Sequence, residues 1–506
     1  MPSNPTLPLQ LDCNDVHSRL NPVRVAQIRY PESTEDVQRA VREAAAADLP
    51  VSICGHRHAM GGQQFGEGTL LLDLTRLKTM GPIDRVHRWV EVGAGMHWPD
   101  LLAGLHAQQT EEAEFLTFRQ KQTGADHLTL GGALAANAHG RGLSMRPFIE
   151  DVEAFTLIDA QGEARRCSRT ENAEWFHLAI GGYGCFGVIT SVCLRLVPRT
   201  TVRREVALST IADALAQLEE RRGAGCQYGD FQFAVDETSP DFLHRGILAT
   251  YRPVPEADPG PSTRDLSEDD WRELIELAHT DRAAAFRRYS AHYLASHGAL
   301  YGSDSHQMGV YLDDYHLDLD RRLGTCPGSE MISELYVPRQ HLVAFMARVA
   351  KELRARRVTV IYGTVRLILK DGESFLAWAR EDFACVIFNL HVDHDEQGRE
   401  RAAEAFRMLI DAALSFGGSY FLTYHRWARR DQVLGAYPQL PEFLRPSGAW
   451  IRSCGFRVSG GGTMSACCDT PGSACPARRG ITLHTEAGLS SHTSRACATR
   501  ANCVTT

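Results

Sequence analysis

The chain has 506 residues, of which 43% are hydrophobic and 23% charged, so it is long enough to bury a large core in two or three domains. Its formal net charge of −8 gives no electrostatic reason to expect nucleic acid or an anionic membrane as a partner. No apolar run approaches the roughly 20 residues that a membrane-spanning helix needs. The first residues lack the basic and apolar segments of a signal peptide, so we expect a cytoplasmic protein.

The first 200 residues predict strands that alternate with short helices. Ser33 to Asp36 fits a capping box at the start of a helix from Glu35 to Ala47. The alternating segment 151–158 ends in a turn at 160–162, which is typical of a hairpin. We expect this domain to close near Pro198. Its other predicted elements are strands at 50–54, 70–74, 89–92 and 188–196 and helices at 99–105 and 172–180.

Three glycine-rich segments interrupt these elements, at Cys54–Gly62, Leu130–Gly142 and Gly181–Ile189. Glycine tolerates positive φ and lets a ligand come close to backbone N–H groups. Successive N–H groups in such turns form concave anion sites. Three segments of this kind in one domain indicate a long, phosphate-bearing cofactor that is held along its whole length.

The third segment contains Gly182-x-Gly184-x-x-Gly187, the spacing of a dinucleotide fingerprint. A Rossmann fingerprint follows a strand and opens a helix. Here a predicted helix precedes the glycines and a predicted strand follows them, so the order is reversed and an NAD-type Rossmann site is not favoured. A P-loop is excluded because no Gly-Lys-Ser/Thr sequence closes any of the three segments.

The second half of the chain predicts an antiparallel sheet with helices on one face. Residues 255–325 are polar, acidic and interrupted by prolines, and they show no clear pattern. Residues 420–443 are interpreted as one strand followed by a short helix. The predicted strands lie at 331–337, 358–369 and 384–392, and the predicted helices at 341–356 and 400–416.

The fourteen cysteines divide by position, with eight in residues 1–444 and six in residues 445–506. The eight show no C-x-x-C pair and no zinc spacing, so we interpret most as small core residues and expect no metal. Residues 445–506 have no helical or strand period, and such a segment cannot bury enough apolar area to offset its ordering entropy. We predict disorder there and favour a shifted reading frame as its origin, with a cysteine-bearing metal site as the alternative.

In this order the motifs resemble those of the FAD-linked oxidases with the vanillyl-alcohol-oxidase (p-cresol methylhydroxylase, PCMH) fold, nearest to the sugar, aldonolactone and alditol oxidases. The resemblance rests on the helix start at Pro31 to Val37, the Gly-x-x-His loop, the turn at Val92 to Gly95 and the two later glycine segments. It implies an α+β fold, with a two-part PCMH-type FAD-binding domain and a cap domain whose antiparallel sheet is covered by helices. The implied boundaries are 1–200 for the FAD-binding domain, 201–419 for the cap, 420–444 for a C-terminal return to the FAD-binding domain and 445–506 for an atypical tail.

The resemblance also implies FAD as the cofactor. His58 falls where many members bond a histidine covalently to the flavin, and the alternative is a histidine that packs near the ring. A second, cysteinyl bond is not expected, because residues 122–130 contain no cysteine. The other residues implied to contact FAD are Gly55, His56, Arg57, Ala59, Met60, Gly61 and Gly62, with Leu130, Gly131 and Gly132, around the pyrophosphate; Asn137, His139 and Gly140 at the flavin edge; and Gly184, Gly187, Val188 and Ile189 near the adenosine half.

Alternation along the predicted cap strands predicts which side chains face the substrate. Arg366 shares a face with Tyr362 and Thr364, and we expect this face to converge with those of His391 and His425 over the flavin. The resemblance implies hydride transfer from a small-molecule alcohol, polyol or lactone to flavin N5. His425, or else His391, is expected to act as the base, and Arg366 to stabilise negative charge. The electrons would pass to O₂, giving hydrogen peroxide, or to another acceptor.

Two departures from the oxidase pattern affect the expected substrate. Thr364-Val-Arg366 keeps the arginine of the Glu-x-Arg motif found in aldonolactone and alditol oxidases but lacks its glutamate, and the segment from His425 to Arg429 has no lysine. We therefore expect the architecture with a different substrate. Two rival interpretations stay open: a UDP-N-acetylmuramate reductase, which shares the fold, and a flavin-binding or empty scaffold that is inactive because of its altered terminus.

Overall fold

The computed structural model describes residues 11–444 except 123, 256–265, 310–311 and 313–314, together with the backbone of 455–458 and 464–467. All of these residues belong to one unit, Met1–Pro471. None of the helices within the described ranges is both long and apolar enough to cross a bilayer.

Short strands and helices alternate in the N-terminal part, as the sequence predicts. In chain order they are β1 (Leu11–Cys13), β2 (Val23–Val25), β3 (Gln27–Arg29), α1 (Thr34–Ala46), β4 (Val51–Cys54), β5 (Leu70–Asp73), β6 (Trp89–Gly93), α2 (Trp98–Gln108), β7 (Leu116–Thr117), α3 (Leu130–Ala136), β8 (Val152–Ile158), β9 (Ala164–Ser168), α4 (Ala173–Ala179), β10 (Val188–Arg195) and β11 (Val197–Pro198).

A three-stranded parallel sheet, in the order β3-β5-β4, carries α1 on one face. The helix begins where the Ser33 side chain accepts a hydrogen bond from the backbone N–H of Asp36, a local interaction that can be predicted from the sequence. Its buried positions Val37, Ala40, Val41 and Ala44 pack in one apolar cluster with Leu70 and Leu72 of β5. The first glycine segment leaves the end of β4.

A four-stranded antiparallel sheet, in the order β6-β10-β8-β9, forms the rest of this part. Strands β8 and β9 form the predicted hairpin, in which Ile158 pairs with Ala164. The third glycine segment lies between α4 and β10. The helix therefore precedes the glycines and the strand follows them, which is the reverse of a Rossmann fingerprint.

The cap part is built on one eight-stranded antiparallel sheet. The elements from residue 201 to residue 444 are β12 (Thr201–Thr210), α5 (Ile211–Gly223), β13 (Tyr228–Phe233), β14 (Arg245–Val254), α6 (Glu268–Thr280), α7 (Arg282–Ala295), β15 (Leu300–Gly302), α8 (Tyr315–Leu323), β16 (Gly328–Pro338), α9 (Leu342–Arg356), β17 (Val360–Ile368), β18 (Phe383–Asp393), α10 (Glu396–Ser415), β19 (Ser419–Tyr420), α11 (Arg430–Ala436) and α12 (Leu440–Phe443).

The strands of this sheet run in the order β15-β12-β14-β13-β17-β18-β16-β19. Apolar residues of α5, α9 and α10 belong to the main core cluster together with Val365, Val386 and Phe388 of the sheet. Helices α6 and α7, in the stretch whose residues show no clear pattern, pack against residues of the sheet outside that cluster, such as Ile361 and Val206. The sheet is thus covered by helices, and one of its faces looks onto α6 and α7.

One predicted strand does not form. Strand β19 contains only Ser419 and Tyr420, which pair with β16 at the edge of the sheet, and residues 421–429 form a loop. After the loop, Tyr437 at the end of α11 donates its hydroxyl to the Tyr420 carbonyl at the sheet edge. The prediction that a strand continues after Tyr420 is therefore wrong. Aromatic residues at 421–427 pack in several directions instead of alternating between the two faces of a strand.

Most of the predicted tail lies outside the described residues. Within it, the backbone of Gly455–Val458 (β20) pairs antiparallel with that of Met464–Cys467 (β21). For the remainder of 445–506 disorder stays a prediction.

Candidate functional site

A cavity of about 1100 Å³ lies between the glycine-rich segments and the cap. All three glycine segments contribute to its wall, and so do cap strands β13, β16, β17 and β18 and helices α6 and α7. The lining residues that the sequence analysis assigned to the cofactor are Gly55, His56, Arg57, His58, Ala59, Met60, Gly131, Gly132, His139, Gly184, Gly187 and Ile189.

The other residues that were predicted to contact FAD do not line the cavity. Leu130 and Val188 are buried in the core. Asn137 ends α3 in a left-handed conformation, and its side chain accepts from the Ile149 N–H and donates to Asp371. Among the described residues that line the cavity we do not find Gly61, Gly62, Leu130, Asn137, Gly140 or Val188.

Backbone donors in the second glycine segment are already used within the protein. The N–H groups of Leu130, Gly131 and Gly132 donate to the Met96 carbonyl, the Ala94 carbonyl and the Thr129 hydroxyl. These three N–H groups are thus engaged within the protein, and their contact with the pyrophosphate stays a prediction. In the first segment the N–H groups of Gly61 and Gly62 are used in the same way, by the carbonyls of Thr423 and Ala59, which leaves residues 55–60 facing the cavity.

Close packing explains why glycine is required at two of these positions. A Cβ atom on Gly55 would lie 2.2 Å from the Thr129 hydroxyl oxygen, so a side chain there would separate the first two glycine segments. Gly187 has φ +140, and a Cβ on it would lie 2.4 Å from the Ile158 carbonyl oxygen. The glycines bring three backbone segments within reach of one bound molecule.

Five histidines cluster at one end of the cavity, and three of them, His17, His56 and His58, line it. The rings of His56, His97 and His127 lie 5.0–5.8 Å apart, and the His56 ring lies 5.4 Å from that of His58. Nitrogen Nδ1 of His58 is 2.5 Å from Nε2 of His17. Burial, reinforced by the neighbouring histidines, lowers the pKa of His58 to about 2, so its ring is neutral at neutral pH. A neutral ring keeps the lone pair that a nucleophile needs.

Polar side chains of β13 and β17 face the cavity from the cap. Asp230 is 2% exposed, and its Oδ2 accepts from Gln232 Nε2 at 2.9 Å and from the Thr364 hydroxyl at 3.3 Å. Its other oxygen, Oδ1, is 3.9 Å from a terminal nitrogen of Arg141 and accepts no hydrogen bond within the described part of the chain. Asp230 thus presents one unsatisfied carboxylate oxygen to the cavity.

Among the side chains that line the cavity, Arg141, Gln232, Arg366 and Asn389 share this property with Asp230. Each has a buried polar atom that lacks a hydrogen-bond partner among the described residues, and burying such an atom costs free energy unless a ligand satisfies it. A polar ligand in the cavity would satisfy them. The atoms are Arg141 Nε, Asp230 Oδ1, Gln232 Oε1, Arg366 Nε and Asn389 Oδ1.

A buried histidine–glutamate pair joins the two parts of the wall. His139, in the second glycine segment, lies 2.7 Å through Nε2 from Glu334 Oε1 on β16, and its Nδ1 lies 2.9 Å from the Gly140 carbonyl. Burial opposes ionisation of Glu334, but the charge and hydrogen bond of His139, with a bond from the Tyr336 hydroxyl, lower its pKa. Glu334 was not identified from the sequence.

The expected convergence of Arg366, His391 and His425 does not occur. Arg366 lines the cavity, whereas neither histidine is among its described lining residues. His425 lies in the loop after β19, its ring centre 4.3 Å from that of Phe406, and burial lowers its pKa to about 3. His391 lies near the end of β18, 3.2 Å from Asp393 Oδ1. His425 is displaced because its predicted strand is a loop, whereas His391 lies on β18 between the lining residues Asn389 and His394 without lining the cavity itself.

The residues that sequence reasoning missed carried a weak signal. Alternation in Tyr228–Phe233 places Asp230 and Gln232 on one face of a strand made otherwise of apolar residues and glycine, which marks a buried polar pair. Arg141 and His17 carried no such signal. They reach the cavity only because the second glycine segment and the N-terminal segment fold against it.

Residues 25–168 match the protein family described as the FAD binding domain. The chain carries a PCMH-type FAD-binding domain. FAD is therefore the cofactor of this domain, and the cavity fits it, because three glycine segments allow close approach and five polar atoms await a partner. The family model covers the elements from β2 to β9, including the first two glycine segments.

The chain is also similar in sequence to three known proteins. The chain is 32% identical over 167 residues to an uncharacterized oxidoreductase of Rhodococcoides fascians (ORF5 in the fasciation locus) and 32% identical over 185 residues to cytokinin dehydrogenase 5 of Arabidopsis thaliana. It is 28% identical over 190 residues to L-gulonolactone oxidase of Bos taurus. The matches cover 33%, 35% and 37% of this chain and 36%, 33% and 41% of the relatives. The similarity thus spans less than half the length of each relative and supports the FAD-binding domain above all.

Proposed function

We propose that the protein is an FAD-dependent oxidoreductase that oxidises a small polar substrate held between the FAD-binding domain and the cap sheet. The observation that carries this proposal is the set of unpartnered polar atoms, most of them on the cap sheet and all in the cavity that the glycine segments line. When bound, FAD supplies the acceptor for a hydride from the substrate.

The residues of the cavity suggest a division of roles. Asp230 has an unsatisfied carboxylate oxygen that can take the proton of a substrate hydroxyl, while Gln232 and Thr364 hold its other oxygen in place. Arg366 carries a positive charge that can stabilise the oxygen of the reacting carbon. Asp230 replaces His425 and His391 as the proposed base, because those histidines are not among the described residues that line the cavity.

An alcohol, a polyol or a lactone is the proposed substrate class. The relationship to L-gulonolactone oxidase supports it, and so does the mixture of hydrogen-bond donors and acceptors in Arg141, Asp230, Gln232 and Asn389. A cytokinin is the second candidate. Cytokinin dehydrogenases of two plants are among the similar proteins, and the cap wall offers aromatic rings, including Trp271, Phe286 and Tyr289, that suit a planar substrate.

Anaerobic reduction of the bound flavin tests the function and separates the two substrates. We expect at least one compound in a panel of polyols, aldonolactones and cytokinins to bleach the visible flavin absorption of the FAD-loaded protein, because oxidation transfers two electrons to the cofactor. Dithionite serves as the control that the flavin is reducible. If dithionite bleaches the flavin and no compound in the panel does, the proposed substrate classes are wrong and an inactive flavin-binding scaffold is favoured.

Molecular oxygen is the proposed electron acceptor. Readmitting air to the substrate-reduced protein is expected to restore the flavin absorption and produce hydrogen peroxide in equal amount. Recovery only after an artificial quinone or dye is added would assign the protein to the dehydrogenases.

We also propose that His58 bonds covalently to the flavin. Its ring is neutral, lines the cavity and is hydrogen-bonded through Nδ1 to His17. After acid precipitation the yellow colour is expected to stay with the wild-type pellet and to pass into the supernatant for His58→Ala. His56→Ala, which removes the neighbouring histidine, should retain the colour in the pellet. Colour in the wild-type supernatant would contradict the bond.

A further inference from the structure

A second polar cluster lies in the cap, in the wall of the cavity. It consists of His279 at the end of α6, His316 on α8 and Glu330 on β16. Glu330 Oε1 is 3.0 Å from His279 Nε2 and 2.6 Å from His316 Nε2. The three side chains are only 9%, 12% and 10% exposed, and their ligating atoms lie within 4.8 Å of one another.

Neighbouring groups hold these side chains in a ligating arrangement. Asp320 Oδ1 lies 3.3 Å from His316 Nδ1, which fixes that ring with Nε2 turned toward Glu330. The Tyr315 hydroxyl donates to the other oxygen of Glu330, so one oxygen is held and the second faces both histidines. A carboxylate behind a ligating histidine is the usual arrangement around protein-bound metals, since it orients the ring and raises its basicity.

A third histidine, His391, lies beside this cluster and has an unsatisfied ring nitrogen. Its ring lies 5.4 Å from the rings of both His279 and His316, and its Nε2 is 3.2 Å from Asp393 Oδ1. Its Nδ1 is buried and has no hydrogen-bond partner in the described part of the chain. An unsatisfied polar atom beside the cluster indicates that the hydrogen bonds within the protein do not complete this site.

We propose that His279, His316 and Glu330 bind a divalent transition-metal ion, for which zinc is the best chemical match. Two imidazole nitrogens and one carboxylate oxygen form a ligand set that zinc accepts, with a further position for water or another ligand. Tetrahedral zinc with ligand bonds of about 2.0–2.1 Å separates neighbouring ligand atoms by about 3.3 Å, so small side-chain movements from the observed separations suffice. His316 and Glu330 line the cavity, and the ion would connect α6 and α8 to β16.

A second group of potential ligands, His139, Glu334 and Cys385, fits a metal less well. Its third member is a thiol, whereas the cluster on α6, α8 and β16 offers two imidazoles and a carboxylate. Burial raises the pKa of the Cys385 thiol far above its usual value, which disfavours the thiolate that metals bind. The cluster on α6, α8 and β16 is therefore the better site.

Zinc binding by the FAD-loaded, full-length protein tests the proposal without an activity measurement. The protein is treated with EDTA, dialysed against zinc and analysed for zinc per chain by mass spectrometry. The variants Glu330→Gln, His316→Ala and His279→Gln each remove one ligand, and Glu330→Gln keeps the shape of the side chain. His394→Ala is the matched control, because His394 also lines the cavity but bonds to the Ser329 hydroxyl at 3.0 Å.

We expect the wild type and His394→Ala to bind one equivalent of zinc more than each ligand variant, with affinity at this site at least about 100-fold weaker in the variants. Zinc should raise the melting temperature of the wild type and the control only. Flavin content per chain shows whether each variant is folded, and one folded ligand variant suffices. Equal zinc content in all proteins, as expected for zinc held by the cysteines of residues 445–506, would overturn the proposal, as would an equal loss in His394→Ala.

Discussion

Replacing Asp230 with asparagine is expected to lower kcat/KM by about 10²–10⁴-fold on a substrate that reduces the flavin, because that is the usual contribution of a positioned base. Asparagine has nearly the same shape and can still accept hydrogen bonds from Gln232 and Thr364, so the cap should stay folded. What it loses is the ability of Oδ1 to take a proton. Steady-state kinetics on protein with matched flavin content checks this result.

Asp241→Asn is the control for this substitution. The Asp241 side chain is 40% exposed on the cap and is not among the described residues that line the cavity. It should change kcat/KM by less than about threefold, as surface changes usually do. An increase in KM with unchanged kcat for Asp230→Asn would make Asp230 a binding residue. Unchanged kinetics would remove it from the proposed mechanism, whether or not the protein oxidises the expected class of substrate.

Replacing His425 with phenylalanine is expected to make the protein more resistant to acid. Burial lowers the pKa of His425 to about 3, whereas an unfolded histidine titrates near 6.5. Between these values the folded state binds fewer protons than the unfolded state, so the stability that depends on neutral His425 is present above pH 6.5 and is lost as the pH falls toward 3. From pH 7 to pH 4.5 this loss is about 2–3 kcal/mol, and phenylalanine removes it.

Denaturant unfolding of both proteins at pH 7 and pH 4.5 measures the difference. The comparison is made between the variant and the wild type, since His58 and His17 also have lowered pKa values and contribute to acid sensitivity in both. Phenylalanine should pack well at pH 7, because His425 lies against Phe406, Tyr420 and Trp427 and its Nδ1 lacks a partner in the described chain. Equal acid sensitivity would show that His425 is not a buried neutral ring.

The same variant also separates packing from catalysis. Since His425 lies in the loop after β19 and is not among the described lining residues, the variant should keep its turnover when it is loaded with flavin. A loss beyond about 100-fold would return His425 to the reaction as a base. His87→Phe, at a side chain that is 69% exposed, provides the control for adding an aromatic ring.

Much of the FAD-binding part could be predicted from the sequence because its signals are local. The capped helix α1, the β8–β9 hairpin and the reversed order around Gly182 to Gly187 each depend on residues within about ten positions of one another. Together with the order of the glycine segments, those elements carry the family resemblance that implies an FAD-binding domain. The family comparison confirms that cofactor.

The substrate side was less predictable because it depends on which strands become neighbours. Alternation correctly grouped Arg366 with Thr364, but it could not show that β13 would pair with β17 and bring Asp230 beside them. A bulge between Val360 and Tyr362 changes which residues face the cavity, and such an irregularity is set by pairing rather than by local propensity. Strand pairing also ends at Tyr420, so His425 lies in the loop at 421–429 and not on a strand that faces the cavity.

The sequence by itself therefore determined the α+β class and, through the family resemblance, the FAD-binding domain, because glycine conformation, helix capping and strand alternation act over a few residues. Only the tertiary structure decided which polar groups meet. His17 reaches His58 across 41 positions, and Asp230 reaches Thr364 across 134. It also brought His279, His316 and Glu330 together from two helices and a strand. Contacts at such separations are fixed by packing of the whole core, which no local pattern encodes.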